Sequence, residues 1–490
     1  MAILAVAYLL GAPAVGMLIG ALTLNGHLFA AAAAILLLLP VLTWRFPAAS
    51  VLLLTATALL VEEYPTIPGL KTITEQLPLF KSLAVGAGLS GVYVNPAELM
   101  MATVAATWVV KAAPERTLAV PRSHLAAGIG LVLLAVVVGE LHGLATGGDL
   151  TASLWELRPW AYLAVMYLLA AELMSTRRHI AALLWTLVIA TGLKGIEGTL
   201  RYLISLRDVV SSPQNVLAHE EAVFFGLFIL LTASLWLFGI KGRLRQVATA
   251  LLPFVVFANM ANHRRTAYII LGAGLAILIA VAWARSPQRR WMTGGIAVAL
   301  LAATALYLPV FWNRTGVLAE PARAIRSAVD PSQRDASSDL YRTLENIDLG
   351  IDIHNSTPFG MGFGHPIPTP VPLIDITRID SSITYEPHNT VLYLWLRLGF
   401  PGAIAFWWMI GAAIVAACRP ARAPDRQIAL VGTLALAAVC AYLIEGWYDQ
   451  GLVSLRIAML LGAVLGSLEA ARRLMRPPRT PSRASSSPQA

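Results

Sequence analysis

The sequence predicts an all-α polytopic integral membrane protein of about 14 (12–14) transmembrane helices, with one long extracytoplasmic loop domain between the eleventh and twelfth spans. Three observations carry this. Hydrophobic residues make up 57% of the 490 and charged residues 13%, against roughly 25% charged in soluble proteins. Apolar windows long enough to cross the hydrocarbon recur at short intervals, such as Ala218 to Ile240 and Gly399 to Cys418. The basic residues gather after every second window, as cytoplasmic connections require.

Taken in order, spans are expected near 2–24, 27–43, 47–61, 96–113, 124–143, 154–173, 179–200, 218–240, 247–262, 266–284, 292–312, 399–418, 427–445 and 452–470. The first has no Lys or Arg ahead of its apolar run and no clear small-residue cleavage site, so it is expected to be retained. Arg45 follows the second span, Lys111, Arg116 and Arg122 the fourth, Arg177 and Arg178 the sixth, and Lys241, Arg243 and Arg245 the eighth. Arg285, Arg289 and Arg290 follow the tenth, Arg419, Arg422 and Arg426 the twelfth, and Arg472, Arg473 and Arg476 the last. Both termini are therefore expected on the cytoplasmic side of the membrane.

This divides the chain into transmembrane helices at 1–312, a loop or cap domain at 313–387, further transmembrane helices at 388–473, and a Pro-, Ser- and Arg-rich tail at 474–490 expected to be disordered. The loop is the one long insertion in this scheme, and its length points to a function. Weakly helical stretches (Ala322 to Val329, Ser338 to Leu349) and a Gly-rich turn from Pro358 to Gly364 predict a small folded cap over a cavity.

Two cysteines, Cys418 and Cys440, lie in apolar segments with neither disulfide nor metal spacing, and read as packing residues. Orientation by cytoplasmic arginines accounts for much of the net charge of +9, so nucleic acid is excluded as a partner and membrane lipids are retained.

Two clusters break the pattern. Asn262-His263-Arg264-Arg265 is a basic group in a tight outward connection, where the orientation rule offers no reason for it. Arginine there needs an anion or a wet cavity, and its forked donors suit phosphate oxygens; snorkelling to lipid headgroups is the alternative. Arg201 and Arg207, beyond the seventh span, face the same side, and Lys194 and Glu197 stand three apart on one face of that span. The second cluster is Tyr385-Glu386-Pro387-His388-Asn389-Thr390. A neutral histidine at a loop-to-helix junction can take a proton from an attacking hydroxyl, while His388 reads equally as a helix-start residue and Asn389 as its cap.

His388-Asn389, nine residues, then Gly399-x-x-Gly402 resembles the signature of the O-antigen ligase and O-antigen polymerase superfamily. Ser212-Pro213-Gln214-Asn215-Val216-Leu217-Ala218 is similar to its Asn-Pro-Asn-x-x-Ala stretch, and Arg265-Thr266-Ala267-Tyr268 to its Ser-Arg element. Tyr341-Arg342-x-x-Glu345-Asn346 and the Thr357 to Gly362 turn are similar to the Arg-containing helix and Gly turn that precede the family's histidine, so the resemblance runs from Lys194 to Ala412. His263 and Arg264, where a small hydroxyl residue is common, and the charges of His219-Glu220-Glu221 depart from it.

The resemblance implies a metal-independent, cofactor-free glycosyltransferase that uses an undecaprenyl-pyrophosphate-linked glycan outside the cytoplasmic membrane. His388 would be the catalytic base, and Arg264, Arg265, Arg201 and Arg342 would hold the donor pyrophosphate, with Asn389, Asn215, Tyr341, Gly399 and Gly402 in support. Lipid A core is favoured slightly as acceptor; another repeat unit would make a polymerase, and a protein an O-oligosaccharyltransferase. A lipid-linked glycan flippase or transporter is the reading from another class. It expects internal repeats or charges deep in matching spans, and the sequence offers no clear case of either.

Overall fold

The structure, a computed structural model, describes residues 27–63, 70–86, 93–114, 120–206, 215–285, 290–376 and 381–475. The expected first span, Arg207, the Ser212 to Gln214 stretch and the tail from Arg476 lie outside them. The described chain is helical, with no β-strand: α1 His27–Arg45, α2 Pro47–Leu60, α3 Pro96–Ala112, α4 His124–Ala145, α5 Leu150–Leu173, α6 Arg177–Leu200, α7 Glu221–Leu237 and α8 Arg243–Ala261. There follow α9 Arg265–Arg285, α10 Arg290–Phe311, α11 Glu320–Arg326, α12 Gln333–Asn355, α13 Thr390–Ala421, α14 Arg426–Tyr448 and α15 Leu455–Leu474. Polar caps begin many of them: the Asn95 side chain accepts the Glu98 N–H in a reciprocal capping box, and Ser123, Asp149, Thr176, Ser332 and Ser454 cap in the same sense.

Among the described residues, seven helices are long and apolar enough to cross a membrane unaided: α4, α6 with its extension to Ser205, α8, α9, α10, α13 and α14. Helices α5 and α15 are of similar length but carry charges inside, Glu156 and Arg158 in one, Arg456 and Glu469 in the other. Those charges are buried in the protein, where they meet partners, so a hydropathy window undervalues both segments.

Contacts sort the connections into two poles. At one, Lys111 donates to Trp44 O (2.7 Å), Arg177 pairs with Asp425 (2.9 Å), Arg426 donates to Gly239 O (2.7 Å) and Arg473 to Ala171 O (2.6 Å). At the other, Lys194 meets Glu62 (2.5 Å) and Glu197 (2.8 Å), and Arg201 donates to Leu70 O (2.5 Å). The second pole shows that 313–387 is not the only long connection. Residues 70–86, between α2 and α3, also fold there, the Thr74 N–H and hydroxyl both donating to Glu197. Its polar groups satisfy charges on α6, a tertiary pairing that the hydropathy pattern does not carry.

The centre of the bundle is α15, buried along nearly its whole length and packed closely on α5. Side chains at Gly462 and Gly466 would lie 2.4 Å from the carbonyl oxygens of Leu163 and Tyr167, so this small-x-x-x-small pair lets two backbones touch.

Helix α13 starts nine residues before the expected span and is broken at Gly399, whose φ of 62° and ψ of −163° suit only glycine. The backbone groups freed by the break are met by the Gly-rich turn: Met361 N–H donates to Leu396 O (2.8 Å) and Gly362 N–H to Arg397 O (3.1 Å), while Phe400 N–H donates to Pro358 O (2.9 Å). Below it, the fully buried Arg397 reaches Glu156 of α5 (2.6 Å), His365 O (2.6 Å) and Tyr385 O (3.1 Å). The same Glu156 accepts the Gly364 N–H (2.5 Å) and the Tyr393 hydroxyl (2.8 Å). The loop is thereby bolted to the bundle just ahead of His388.

A Cβ on Gly399 would meet Pro358 O at 2.1 Å. Gly399→Ala is expected to destabilise the protein by about 1–3 kcal/mol or more, read as a lower melting midpoint in detergent. Gly411→Ala, at a helical position with open space around it, should leave the midpoint at the wild-type value.

Candidate active site

Three residues, Asn262 to Arg264, join the end of α8 to the start of α9. His263 adopts a left-handed φ of 51°, which lets Asn262 and Arg264 point in different directions from adjacent helix ends. Asn262 faces the bundle, its Oδ1 accepting the N–H groups of Val216 (3.0 Å) and Leu217 (2.9 Å) while its Nδ2 donates to Ala218 O (3.1 Å). One buried side chain thus pins the segment entering α7 to the α8–α9 turn. The side chain of Asn215, next to that segment, makes no hydrogen bond among the described residues.

Arg264 turns toward α14. Its guanidinium approaches Asp449 at 3.6 Å, and Arg342 of α12 approaches the same carboxylate oxygen at 3.9 Å. His219 Nδ1 lies 3.4 Å from it as well. These are loose pairs, beyond hydrogen-bonding distance for the two arginines, and the buried Nε atoms of both have no hydrogen-bond partner. Burial pushes the Arg264 guanidinium down from its ordinary value, against the pull of Asp449. Burial would raise Asp449, yet His219, Arg264 and Arg342 together hold its carboxyl well below the usual carboxylate range.

Helix α12 brings the histidine to the same place. Glu345 accepts the His388 backbone N–H (3.0 Å) and lies 3.2 Å from Nδ1, while the Tyr341 ring meets the imidazole edge-on at 5.7 Å between centroids. Arg342 and Glu345, three apart, share a face of α12, so the arginine over Asp449 and the carboxylate against His388 are one helical turn from each other. The helix is fixed at both sides. Arg265 forks onto Asp339, His263 Nδ1 meets Glu320 of α11 (2.7 Å), and Arg323 bridges Glu320 and Asp335.

Among the residues singled out in the sequence, the structure gathers Arg264, Arg342, Tyr341 and His388. Arg265 stands beside them but is committed to Asp339. Arg201 stands in the other cluster, with Leu70 O, Lys194 and their carboxylates, and has no contact with Asp449. Asn389 caps α13, accepting the Leu392 N–H at 3.1 Å. Gly399 and Gly402 serve the break in α13, the latter pressed against Leu398.

Asp449 escaped the sequence reading. A carboxylate four residues after Glu445, at the C-terminal end of an apolar helix, was the available signal, because such groups persist near hydrocarbon only with cations to meet. Asp449→Asn removes the anion between buried cations, and is expected to cost about 3–5 kcal/mol at pH 7. Because the folded value is depressed, the wild-type advantage exists above the unfolded carboxylate value near 3.9 and is lost as pH falls through the folded one. Melting midpoints of the two proteins should therefore begin to converge as pH falls below about 4 and meet only below the folded value.

Residues 248–407 match the family model described as O-antigen ligase. The matched stretch contains Arg264, Arg265, Tyr341, Arg342, Glu345, His388, Asn389, Gly399 and Gly402, whereas Arg201, Asn215 and Asp449 fall outside it. No curated protein matches the chain.

Proposed function

We propose, from the match of residues 248–407 to the O-antigen ligase family model and from the helices long and apolar enough to cross a membrane, that the chain is a membrane glycosyltransferase. It moves a glycan from undecaprenyl pyrophosphate to an acceptor hydroxyl on the outer side of the bacterial cytoplasmic membrane. In this reading the bundle has 12–14 spans with both termini cytoplasmic, the 313–387 segment and the pole bearing Asp449 face the periplasm, and neither metal nor cofactor is needed.

The observation that carries the reading is the pairing of roles on α12: Arg342, with Arg264, forms an under-bonded cationic pair, and His388 sits one helical turn along against Glu345. The acceptor oxygen attacks the anomeric carbon, its proton passes to His388, and the bond from that carbon to the pyrophosphate oxygen breaks. Undecaprenyl pyrophosphate departs with the extra negative charge. Arginines with unspent donors, fixed beforehand at the end of an apolar bundle, stabilise that charge more in the transition state than in the ground state. Arg265 then acts by anchoring α12 through Asp339, and Arg201 supports the wall of the site. Lipid A core is the favoured acceptor.

Transfer in proteoliposomes from the lipid-linked donor tests this. His388→Ala is expected to lower the rate by about 10²-fold or more and Arg264→Ala by about 10²–10³-fold, with chelator having no effect. Core-linked product marks a ligase, lengthened donor-linked chains a polymerase, and a glycosylated protein an oligosaccharyltransferase. If both variants transfer at the wild-type rate, the site is elsewhere and carriage of the lipid-linked glycan becomes the better reading.

A further inference from the structure

We infer that Glu345 is the positioning residue of the transfer reaction, holding His388 in the tautomer that exposes Nε2 as the base and neutralising the imidazolium formed when the acceptor proton arrives. The inference rests on the proposed role of His388 and adds a residue and a mechanism to it.

Glu345 touches His388 twice. Its Oε2 accepts the backbone N–H at 3.0 Å, and its two oxygens lie 3.2 and 3.3 Å from Nδ1. The backbone bond fixes where the histidine stands and the second contact fixes how its ring is turned. A carboxylate can only accept, so Nδ1 must carry the hydrogen and the lone pair must be on Nε2. Glu345 is 4% exposed, so little water competes for that bond or screens the charge. Tyr341, one turn back on the same helix, closes the ring's flank edge-on.

The proton balance is simple. The acceptor hydroxyl gives its proton to Nε2, Nδ1 keeps its own and continues to donate to Glu345, and the imidazolium later releases the Nε2 proton to water. No proton passes to the carboxylate at any stage. Its contribution appears only once the ring becomes positive, which is the stage at which rate is gained. Beside Glu345, α12 brings Tyr341 against the ring and turns Arg342 to Asp449, while the segment of His388 itself carries Tyr385 and Glu386. Arg342 is turned to Asp449, so Glu345 is the carboxylate in contact with the ring.

Glu345→Gln tests this, because its amide oxygen can still accept both hydrogens while the charge is gone. Donor-dependent transfer by this variant should fall by about 10²-fold in kcat with little change in KM for the donor. The acid limb of its pH–rate profile should move to lower pH, since the imidazolium has lost its counter-ion. Glu345→Asp, which keeps the charge at a shorter reach, should recover part of the rate with the limb near the wild-type position. If His388→Ala is inactive while Glu345→Gln and Glu345→Asp lose equal activity with the wild-type limb, Glu345 is merely structural and the inference is overturned. If His388→Ala is active, the failure lies in the base assignment itself.

Discussion

A guanidinium or ammonium group at the end of an apolar bundle needs an anion, because leaving it unpaired costs several kcal/mol. Lys194, Arg397 and Arg456 are fully buried and each closes on a carboxylate at 2.5 to 2.6 Å: Glu62, Glu156 and Glu221. These pairs tie distant parts of the chain together, α6 to the end of α2, α13 to α5, and α15 to α7. Arg264 differs in degree. Its nearest carboxylate oxygen is 3.6 Å away and is shared with Arg342 and His219. Arg397 and Arg456 also keep one unbonded donor nitrogen each, but both are closed onto a carboxylate, whereas Arg264 is balanced by Coulomb attraction with no hydrogen bond to Asp449, and that looseness marks it as a binding group.

Helix α12 converts this surplus into a site. A helix is a stiff ruler of about 1.5 Å per residue, and on this one Asp339, Tyr341, Arg342 and Glu345 take hold of Arg265, His388, Asp449 and His388 in turn. Any shift of the ruler moves the cation and the base together. Glu156 and Arg397 fix the other end of the histidine's segment through the Gly-rich turn, so His388 is held from both directions.

Much of this was legible in the sequence. Every span expected within the described residues falls on a helix, because apolar length is a local property. The helical stretches expected within the long loop fall on α11 and α12, and α12 extends further both ways under the cap of Ser332. Arg264 was visible as a basic group where topology gave no reason for it, His388 as a polar group at a loop-to-helix junction, and Arg342 through the resemblance of its stretch to the family's Arg-containing helix. Asp449 and the part played by Asn262 were not, since each depends on a partner more than 40 residues away. Arg201 and Arg265 carry the same local signal as Arg264; only the tertiary partners, Leu70 O and Asp339, separate them.

The central claim is that Arg264 and Arg342 hold the donor's pyrophosphate beside His388. A cryo-electron microscopy structure of the protein in nanodiscs with an undecaprenyl-pyrophosphate-linked glycan bound tests it directly. The account predicts phosphate oxygens within hydrogen-bonding distance of both guanidinium groups and the anomeric carbon facing His388. Phosphates seated in the Lys194–Arg201 cluster, or away from α12 altogether, would contradict it.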